Sequence, residues 1–326
     1  MKKQLFLAVC LIMMSLTASA LTINKALLEH NGEVTLFDGD KVQDAINAAS
    51  DGDVIYLTLG TFKAFNVTKQ ITIRGTGGTS VIDGDVTISI PGAPKLTIPV
   101  LESLAVSGTV HVGAQVDDMI IRKCKIANFT IGAQIDGAVI DRCYITSALT
   151  LSSYIKGMTV VNTKLFSVKA NSGATQNITF VNCNFYILCV SNFSGTIINS
   201  IIQQTVNYNG NAGDHNSILL STVLLNTLMY TYSSYVAIGT SSIKDKCYFV
   251  GTYLGDGLVN SSCECTFDSY TLQSKAYLGT DGTVVGIYGG DTPFTLDPTV
   301  PKVTNSDIKL DTKTKKLNVK LTVSPQ

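Results

Sequence analysis

The sequence predicts an all-β solenoid, in which each repeat buries its apolar side by stacking on its neighbours. The first observation is a strand-like pattern that returns about every twenty residues, in segments 119–126, 138–145, 158–165 and 178–185. The second is a small residue at one place in each segment, here called the marker. The markers are Cys124, Cys143, Thr163 and Cys183, spaced 19, 20 and 20 residues apart. Weaker copies are expected at Ser200, Thr222 and Cys247.

Alternation within the repeat predicts which positions are buried. Counted from the marker, positions −5, −3, 0 and +2 should face inward. The sixteen residues at these positions are Met119, Ile121, Cys124, Ile126, Ala138, Ile140, Cys143, Ile145, Met158, Val160, Thr163, Leu165, Ile178, Phe180, Cys183 and Phe185.

Position −1 predicts a bend between two strands. It is occupied by Lys123, Arg142, Asn162, Asn182 and Asn199. Asparagine tolerates left-handed backbone better than any residue except glycine, so three asparagines in succession favour a left-handed bend here.

A short helix is predicted ahead of the strands. Residues 41–50 place Val42, Ile46 and Ala49 on one helical face, and residues 51–53 end the helix before a strand begins at Val54. Such a helix would cover the open end of the solenoid core.

The N-terminus has the pattern of a secretory signal peptide over residues 1–20. Lys2 and Lys3 precede an apolar run too short to span a membrane, and small residues lead to a cleavage site after Ala20. We therefore expect an exported protein without a membrane span, in the periplasm, at the cell surface or outside the cell.

Charge and cysteine content limit the function classes. Without the signal peptide, the chain has 22 basic and 24 acidic residues, which argues against nucleic-acid binding. Seven cysteines remain: Cys124, Cys143, Cys183, Cys189, Cys247, Cys263 and Cys265. Stacked strands lie ~4.8 Å apart, so Cys124 and Cys143 are close enough for a disulfide, but buried free thiols are the favoured interpretation. We expect no metal site and no cofactor.

Several segments resemble a known superfamily. They are Gly52-Asp53-Val54-Ile55-Tyr56, Gly60-Thr61-Phe62, the helix before them and the repeated Val-x-Asn-Cys-x-Phe. Together they look like the right-handed parallel β-helix proteins of the pectin-lyase-like superfamily, and residues 281–294 resemble the ending of exported β-helix proteins from Bacteroidetes. A leucine-rich repeat is excluded because the Leu-x-x-Leu-x-Leu frame is missing.

The resemblance implies a single right-handed parallel β-helix over residues 21–298 with an N-terminal helix cap. A strand-bearing tail, 299–326, is expected to pack on it. The superfamily includes polysaccharide lyases, glycoside hydrolases, esterases, phage tailspikes and non-catalytic surface proteins, so the resemblance leaves the activity open.

Four apolar residues at outward positions predict a covered surface. They are Ile120, Val161, Val181 and Ile198. Because an exposed apolar stripe of this kind usually marks an interface, we expect the tail or a second protein to pack over it.

Catalytic candidates are few. Between residues 119 and 250 the only Asp and Arg residues are Arg122, Asp136, Asp141, Arg142, Asp214 and Asp245. Asp141 and Arg142 should point in different directions, and Arg122 and Asp141 should form a surface ion pair. Asp214 and His215, on the loop 208–216, are the best acid–base candidates, although Asp-His pairs are also common in solvated turns. His30 and His111 are expected to be structural.

A binding interpretation has more support. Lys123, Lys125, Arg142, Tyr144 and Lys164 should form a basic–aromatic ladder over three repeats. Sugars stack on aromatic faces and acidic groups pair with Lys and Arg, although lysines on outer strand faces also serve solubility. Tyr230, Tyr232 and Tyr235 are a second aromatic cluster.

We therefore expect an exported, non-catalytic protein that binds polysaccharide or a cell-surface glycan. The alternatives are a polysaccharide lyase or glycoside hydrolase with an unrecognised site, and a structural or adhesive surface protein.

Overall fold

The computed structural model describes residues 24–151, 155–170, 175–176, 178–190, 195–202, 205–206, 223–230, 243–245, 248–250, 277–297, 302–311 and 316–324. Five groups of predictions lie outside these residues. They concern the signal peptide, the loop with Asp214 and His215, the residues Tyr232 and Tyr235, the marker candidates Thr222 and Cys247, and the pair Cys263 and Cys265.

The described residues form one α-helix and 28 strands. The helix α1 spans Val42–Ala48 and follows a 3₁₀ turn at Gly39–Lys41. The strands, in chain order, are β1 (Lys25–His30), β2 (Glu33–Asp38), β3 (Val54–Leu57), β4 (Gly60–Val67), β5 (Thr72–Arg74), β6 (Ser80–Ile88), β7 (Pro99–Glu102), β8 (Ala105–Val112), β9 (Ile120–Arg122), β10 (Lys125–Ile131), β11 (Ile135–Asp136), β12 (Val139–Asp141), β13 (Tyr144–Leu151), β14 (Ile155–Lys156), β15 (Thr159–Val161), β16 (Lys164–Ala170), β17 (Thr175–Gln176), β18 (Ile178–Val181), β19 (Asn184–Val190), β20 (Gly195–Ile198), β21 (Ile201–Ile202), β22 (Thr205–Val206), β23 (Val223–Leu225), β24 (Leu228–Tyr230), β25 (Ile243–Asp245), β26 (Tyr248–Val250), β27 (Lys302–Asp311) and β28 (Lys316–Ser324).

The strands stack into a parallel β-solenoid, which confirms the predicted fold class. One face is a twelve-stranded sheet that runs from β2 to β25, and the next is an eleven-stranded sheet that runs from β26 to β4. A third, short face is formed by β11, β14 and β17. Each repeat therefore contributes one strand to each long sheet and pairs in parallel with the repeats on either side.

The predicted core is confirmed. All sixteen inward residues named above are 0% exposed. Aromatic rings fill part of the interior. Phe180 and Phe185 pack edge to face, with ring centroids 4.9 Å apart.

The predicted left-handed bend is also confirmed. Position −1 has φ values of 52° at Lys123, 51° at Arg142, 44° at Asn162, 51° at Asn182 and 50° at Asn199. Ser103 and Asn226 extend the same column, here called the bend column, with φ values of 53° and 43°.

The structure explains why a small hydrogen-bond donor occupies the marker position. Thr163 Oγ1 donates to the carbonyl of Val161 at 2.8 Å and accepts from the amide of Cys143 at 3.2 Å. In other repeats a thiol or hydroxyl makes the same bond to the carbonyl two residues earlier, from Cys124, Cys143, Cys183, Ser200 and Thr227. The same carbonyl also accepts a backbone amide from the preceding repeat, as Val161 O does from Arg142 N at 3.0 Å. A small donor at the marker therefore adds a second hydrogen bond to a carbonyl at the bend and uses both of its lone pairs.

One marker prediction is wrong. Ile201 pairs with Leu228, so the residue stacked on Ser200 is Thr227 and not Thr222. The chain between these two repeats is longer than the others, and the insertion shifts the register of the pattern.

The N-terminal helix is confirmed and buries Val42, Ala45 and Ile46. It lies beside a hairpin in which β1 pairs antiparallel with both β2 and β3. His30 Nδ1 lies 2.8 Å from Asp53 Oδ1, and Asp53 also accepts from the amide of Ser50 at 2.7 Å. His30 thus joins the hairpin to the chain that follows α1, which fits the structural role expected for it.

Residues 277–290, here called the strap, cross the asparagine part of the bend column. Asn162 Nδ2 donates to the carbonyls of Ile287 and Gly289, at 3.0 and 2.8 Å. Asn226 donates to Leu278 in the same way, and Asn199 bonds Thr280 through both ends of its amide. The asparagines therefore hold a second segment of the chain as well as the bend.

The predicted apolar stripe is half-buried at Ile120, Val161, Val181 and Ile198. The strap lies on the bend that follows this stripe. The tail forms its own antiparallel hairpin of β27 and β28, and its packing on the solenoid stays a prediction. Among the described residues, no helix is both long and apolar enough to cross a membrane.

Cys124, Cys143 and Cys183 are buried free thiols, in agreement with the favoured interpretation. Burial raises the pKa of Cys183 to about 12 and that of Cys143 well above its ordinary value. Cys143 and Cys183 are therefore packing and hydrogen-bonding groups at neutral pH.

Stability should fall as the pH rises above 9, partly because of Cys183. The pKa of Cys183 is about 12 in the folded protein against an ordinary value of 9.0, so the folded state holds the proton more tightly. One such group lowers the free energy of unfolding by about 1.4 kcal/mol per pH unit between these values. Cys183→Ala should show a shallower decline in urea unfolding between pH 9 and 11. Ser200→Ala, which removes the marker of the next repeat but no titrating group, should keep the parent slope. An unchanged slope in Cys183→Ala would contradict the assignment.

Asn162→Gly should loosen the strap while leaving the bend relaxed, because glycine adopts positive φ without strain. The loss of two hydrogen bonds should lower the free energy of unfolding by roughly 1–3 kcal/mol. Amide hydrogen exchange should accelerate across residues 284–290. Asn162→Ala should lower stability by about a further 1 kcal/mol from backbone strain. Unchanged exchange in the strap would show that these bonds do not hold it.

Candidate functional site

Three of the five predicted ladder residues stack in one column on the outer side of the eleven-stranded sheet. Lys125 pairs with Tyr144, and Tyr144 pairs with Lys164. The column continues to Asn184, which is fully buried and accepts a hydrogen bond from the strap at the amide of Ile287, 3.2 Å away. The strap therefore closes one end of the column.

The three ladder residues differ in accessibility. Lys125 is exposed and Tyr144 is half-buried, whereas Lys164 is only 9% exposed. The Lys164 ammonium lies 4.3 Å from the centroid of the Tyr144 ring, within cation–π distance. Lys164 thus fixes the orientation of the Tyr144 ring, and Lys125 is the cation that faces solvent.

Two further aromatic residues lie on the same side of this sheet. Phe166 and Tyr186 are half-buried, and their ring centroids are 5.0 Å apart with the planes tilted by 35°. Each follows a ladder position by two residues along its strand, and such residues face the same side of a sheet. We call Lys125, Tyr144, Lys164, Phe166 and Tyr186 the basic–aromatic face. Phe166 and Tyr186 could have been predicted from the sequence, because inward and outward positions alternate along each strand from Lys164 and Asn184.

Lys123 and Arg142 lie at the edge of this face, in the bend column. Lys123 is 6% exposed. Burial lowers its pKa, and the positive charges of Arg142 and Arg122 act in the same direction. Arg142 instead folds back on its neighbour Asp141, with Nε 3.0 Å and Nη2 2.5 Å from the carboxylate oxygens.

Two predictions about charged side chains are therefore wrong. Asp141 and Arg142 do not point apart, because the left-handed backbone at Arg142 allows its side chain to return to Asp141. Arg122 stacks on Asp141 in register but pairs with Glu102, one repeat earlier, with Nε 2.8 Å from Oε1.

Glu102 is a charged residue that the sequence reasoning missed. It is fully buried between two arginines, and Arg74 Nε lies 2.7 Å from its second oxygen. Arg74 also lies over the ring of Tyr56, 5.6 Å from the centroid. Burial raises the pKa of Tyr56, although the positive charge of Arg74 opposes this. The outer side of the twelve-stranded sheet thus carries a row of fixed guanidinium groups.

A separate group of carboxylates lies near the third sheet. Lys95 Nζ is 3.1 Å from Asp118 Oδ2, and the amide of Asp136 donates to Asp117 Oδ1 at 3.1 Å. The pKa of Lys95 is raised, chiefly by Asp118 and less by Asp136 and Asp117. Within the described part of the chain, no three His, Cys, Asp or Glu residues are placed to hold a metal ion.

No protein-family model matches this chain, and neither a curated protein nor a solved structure matches it significantly.

Glu102→Gln should destabilise the protein strongly, because two arginines would lose their buried counter-charge. Removing one member of a buried ion pair lowers the free energy of unfolding by about 3–5 kcal/mol. Urea unfolding at pH 7 measures the change. The control is Glu33→Gln, which removes the same charge from an exposed position of β2 and should change stability by less than about 0.5 kcal/mol. Similar losses in both variants would contradict a stabilising role for Glu102.

Proposed function

We propose that the chain is an exported, non-catalytic protein that binds polysaccharide or a cell-surface glycan. We also propose that its solenoid is right-handed and belongs to the pectin-lyase-like superfamily, on the sequence features described above. The observation that carries the binding proposal is the basic–aromatic face. Its rings and cations repeat at the strand spacing on a rigid sheet.

The chemistry of the face supports sugar binding. Half-buried rings present flat apolar surfaces on which sugars stack, and Lys125 offers an exposed cation beside them. Because strand pairing already fixes the backbone, a ligand needs to order only the side chains. The site residues proposed are Lys123, Lys125, Arg142, Tyr144 and Lys164, together with Phe166 and Tyr186.

Binding without turnover is supported by the ion pairs that hold two carboxylates near the face. Glu102 and Asp141 are each held by arginine. A carboxylate whose oxygens already accept hydrogen bonds from a guanidinium group is not free to reach a substrate atom.

The enzymatic alternative has one observation in its favour, the grouping of Asp117, Asp118 and Asp136 beside Lys95. Glycoside hydrolysis uses a pair of carboxylates across the scissile bond. If a glycan hit is cleaved, Asp118→Asn should abolish product formation while leaving binding to the basic–aromatic face intact.

A glycan-array screen of residues 21–326, with and without calcium, should identify a bound glycan that is not consumed. Lys125→Ala/Tyr144→Ala should weaken binding roughly tenfold or more, since anchors at a binding surface contribute above 1 kcal/mol each. Lys63→Ala removes another exposed lysine from the same sheet and should leave the affinity unchanged.

Reducing-end and unsaturated-product assays on every hit complete this test. Product formation would replace the proposal with the enzymatic alternative. No hit on the array, or a hit whose affinity does not depend on Lys125 and Tyr144, would remove the basic–aromatic face as the site and favour the adhesive role.

A further inference from the structure

Lys123 is an unusual lysine, because its side chain is largely covered while its ammonium makes no direct bond. It is 6% exposed, and among the described residues its ammonium makes neither a hydrogen bond nor an ion pair. The ammonium is not among the buried polar atoms without a partner in this part of the chain, so the covered stem carries it to solvent. Its backbone also has φ of 52°, a conformation that asparagine tolerates better.

Arginines and carboxylates both act on Lys123. Arg122 precedes Lys123 in the chain, and Arg142 occupies the same bend position one repeat later. Burial lowers the pKa of Lys123 most; Arg142 and Arg122 also lower it, whereas Glu102 and Asp141 raise it, and Glu102 acts more strongly than Arg122. Three cations and two carboxylates thus meet at this part of the bend column, which leaves an excess of positive charge.

The two arginines are held in place yet keep free donors. Arg122 uses Nε to bind Glu102, and within the described residues its Nη groups bond no acceptor. Arg142 binds Asp141 through Nε and Nη2, which leaves Nη1. Both carboxylates thus orient a guanidinium group without using all of its N–H donors.

We propose that Arg122, Lys123 and Arg142 form an oxyanion-binding site that takes a sulfate, phosphate or carboxylate group. Fixed guanidinium groups bind such oxygens with charge-assisted hydrogen bonds, and the Lys123 ammonium adds a donor that has no acceptor among the described residues. Glu102 and Asp141 act as positioning residues.

The site lies next to the basic–aromatic face, because Lys123 and Arg142 each precede a ladder residue by two positions. It would select ligands that carry an acidic group near the stacked rings. The oxyanion site itself does not depend on the proposed glycan binding, and each can fail without the other.

The test compares the full mature chain with Lys123→Asn, in which the new residue suits the left-handed backbone as in the later repeats. Thermal unfolding and isothermal titration use sodium sulfate, phosphate and acetate, each against sodium chloride of equal ionic strength. The parent should bind at least one oxyanion saturably, with a rise in Tm. Lys123→Asn should bind it roughly tenfold to a hundredfold more weakly, as expected for the loss of one charge-assisted hydrogen bond.

Sulfate and phosphate also raise the Tm of most proteins by exclusion from their surfaces. Lys63→Asn, at an exposed lysine on β4 and outside the basic–aromatic face, measures this general effect and should keep the saturable response. The same rise in all three proteins, or no heat of binding in the parent, would overturn the proposal. Comparison of the three anions shows whether the site requires a tetrahedral anion, such as sulfate or phosphate, or also accepts the carboxylate of acetate.

The outcomes also separate the two proposals. Saturable oxyanion binding with a silent glycan array would keep this site and remove the glycan function. Glycan binding that depends on Tyr144, with no saturable oxyanion binding by the parent, would do the reverse.

Discussion

The left-handed bend between the two long sheets is the constraint on which the solenoid depends. At each turn the chain changes direction at the bend, and the carbonyl just before the bend stays bonded to the preceding repeat, as Val161 O is to the amide of Arg142. The marker adds a second hydrogen bond to that carbonyl, from Thr163, Ser200 or a cysteine thiol. Because this residue is small, the next repeat can stack directly on it, and the same register then passes from turn to turn.

The bend also fixes what the surface presents. Residues two apart on the strand that follows it share the outer face, so Lys164 and Phe166 are carried together, as are Asn184 and Tyr186. Parallel pairing then aligns Lys125, Tyr144 and Lys164 without any contact between side chains being needed to set the alignment. The basic–aromatic face is thus a consequence of the core register, and its geometry is rigid before any ligand arrives.

The periodic part of this structure could be predicted from the sequence, and the aperiodic part could not. The inward positions were right because each side chain is dictated by alternation within one repeat. Thr227 was missed because an insertion breaks the spacing, and Glu102 because it precedes the first clear copy of the pattern. The strap could not be foreseen, since Asn162 and Ile287 lie 125 residues apart in the chain.

The bend column contains two kinds of side chain, which differ in the hydrogen bonds that they can donate and accept. An asparagine amide both donates and accepts, so it can bond a peptide backbone, as Asn199 does with Thr280. Lysine and arginine only donate. At Asn162, Asn199 and Asn226 the amide therefore bonds a segment of the same chain. At Lys123 and Arg142 the same backbone position instead presents cationic donors: Arg142 binds the carboxylate of Asp141, whereas the Lys123 ammonium has no acceptor among the described residues, and this is the difference that the proposed oxyanion site uses.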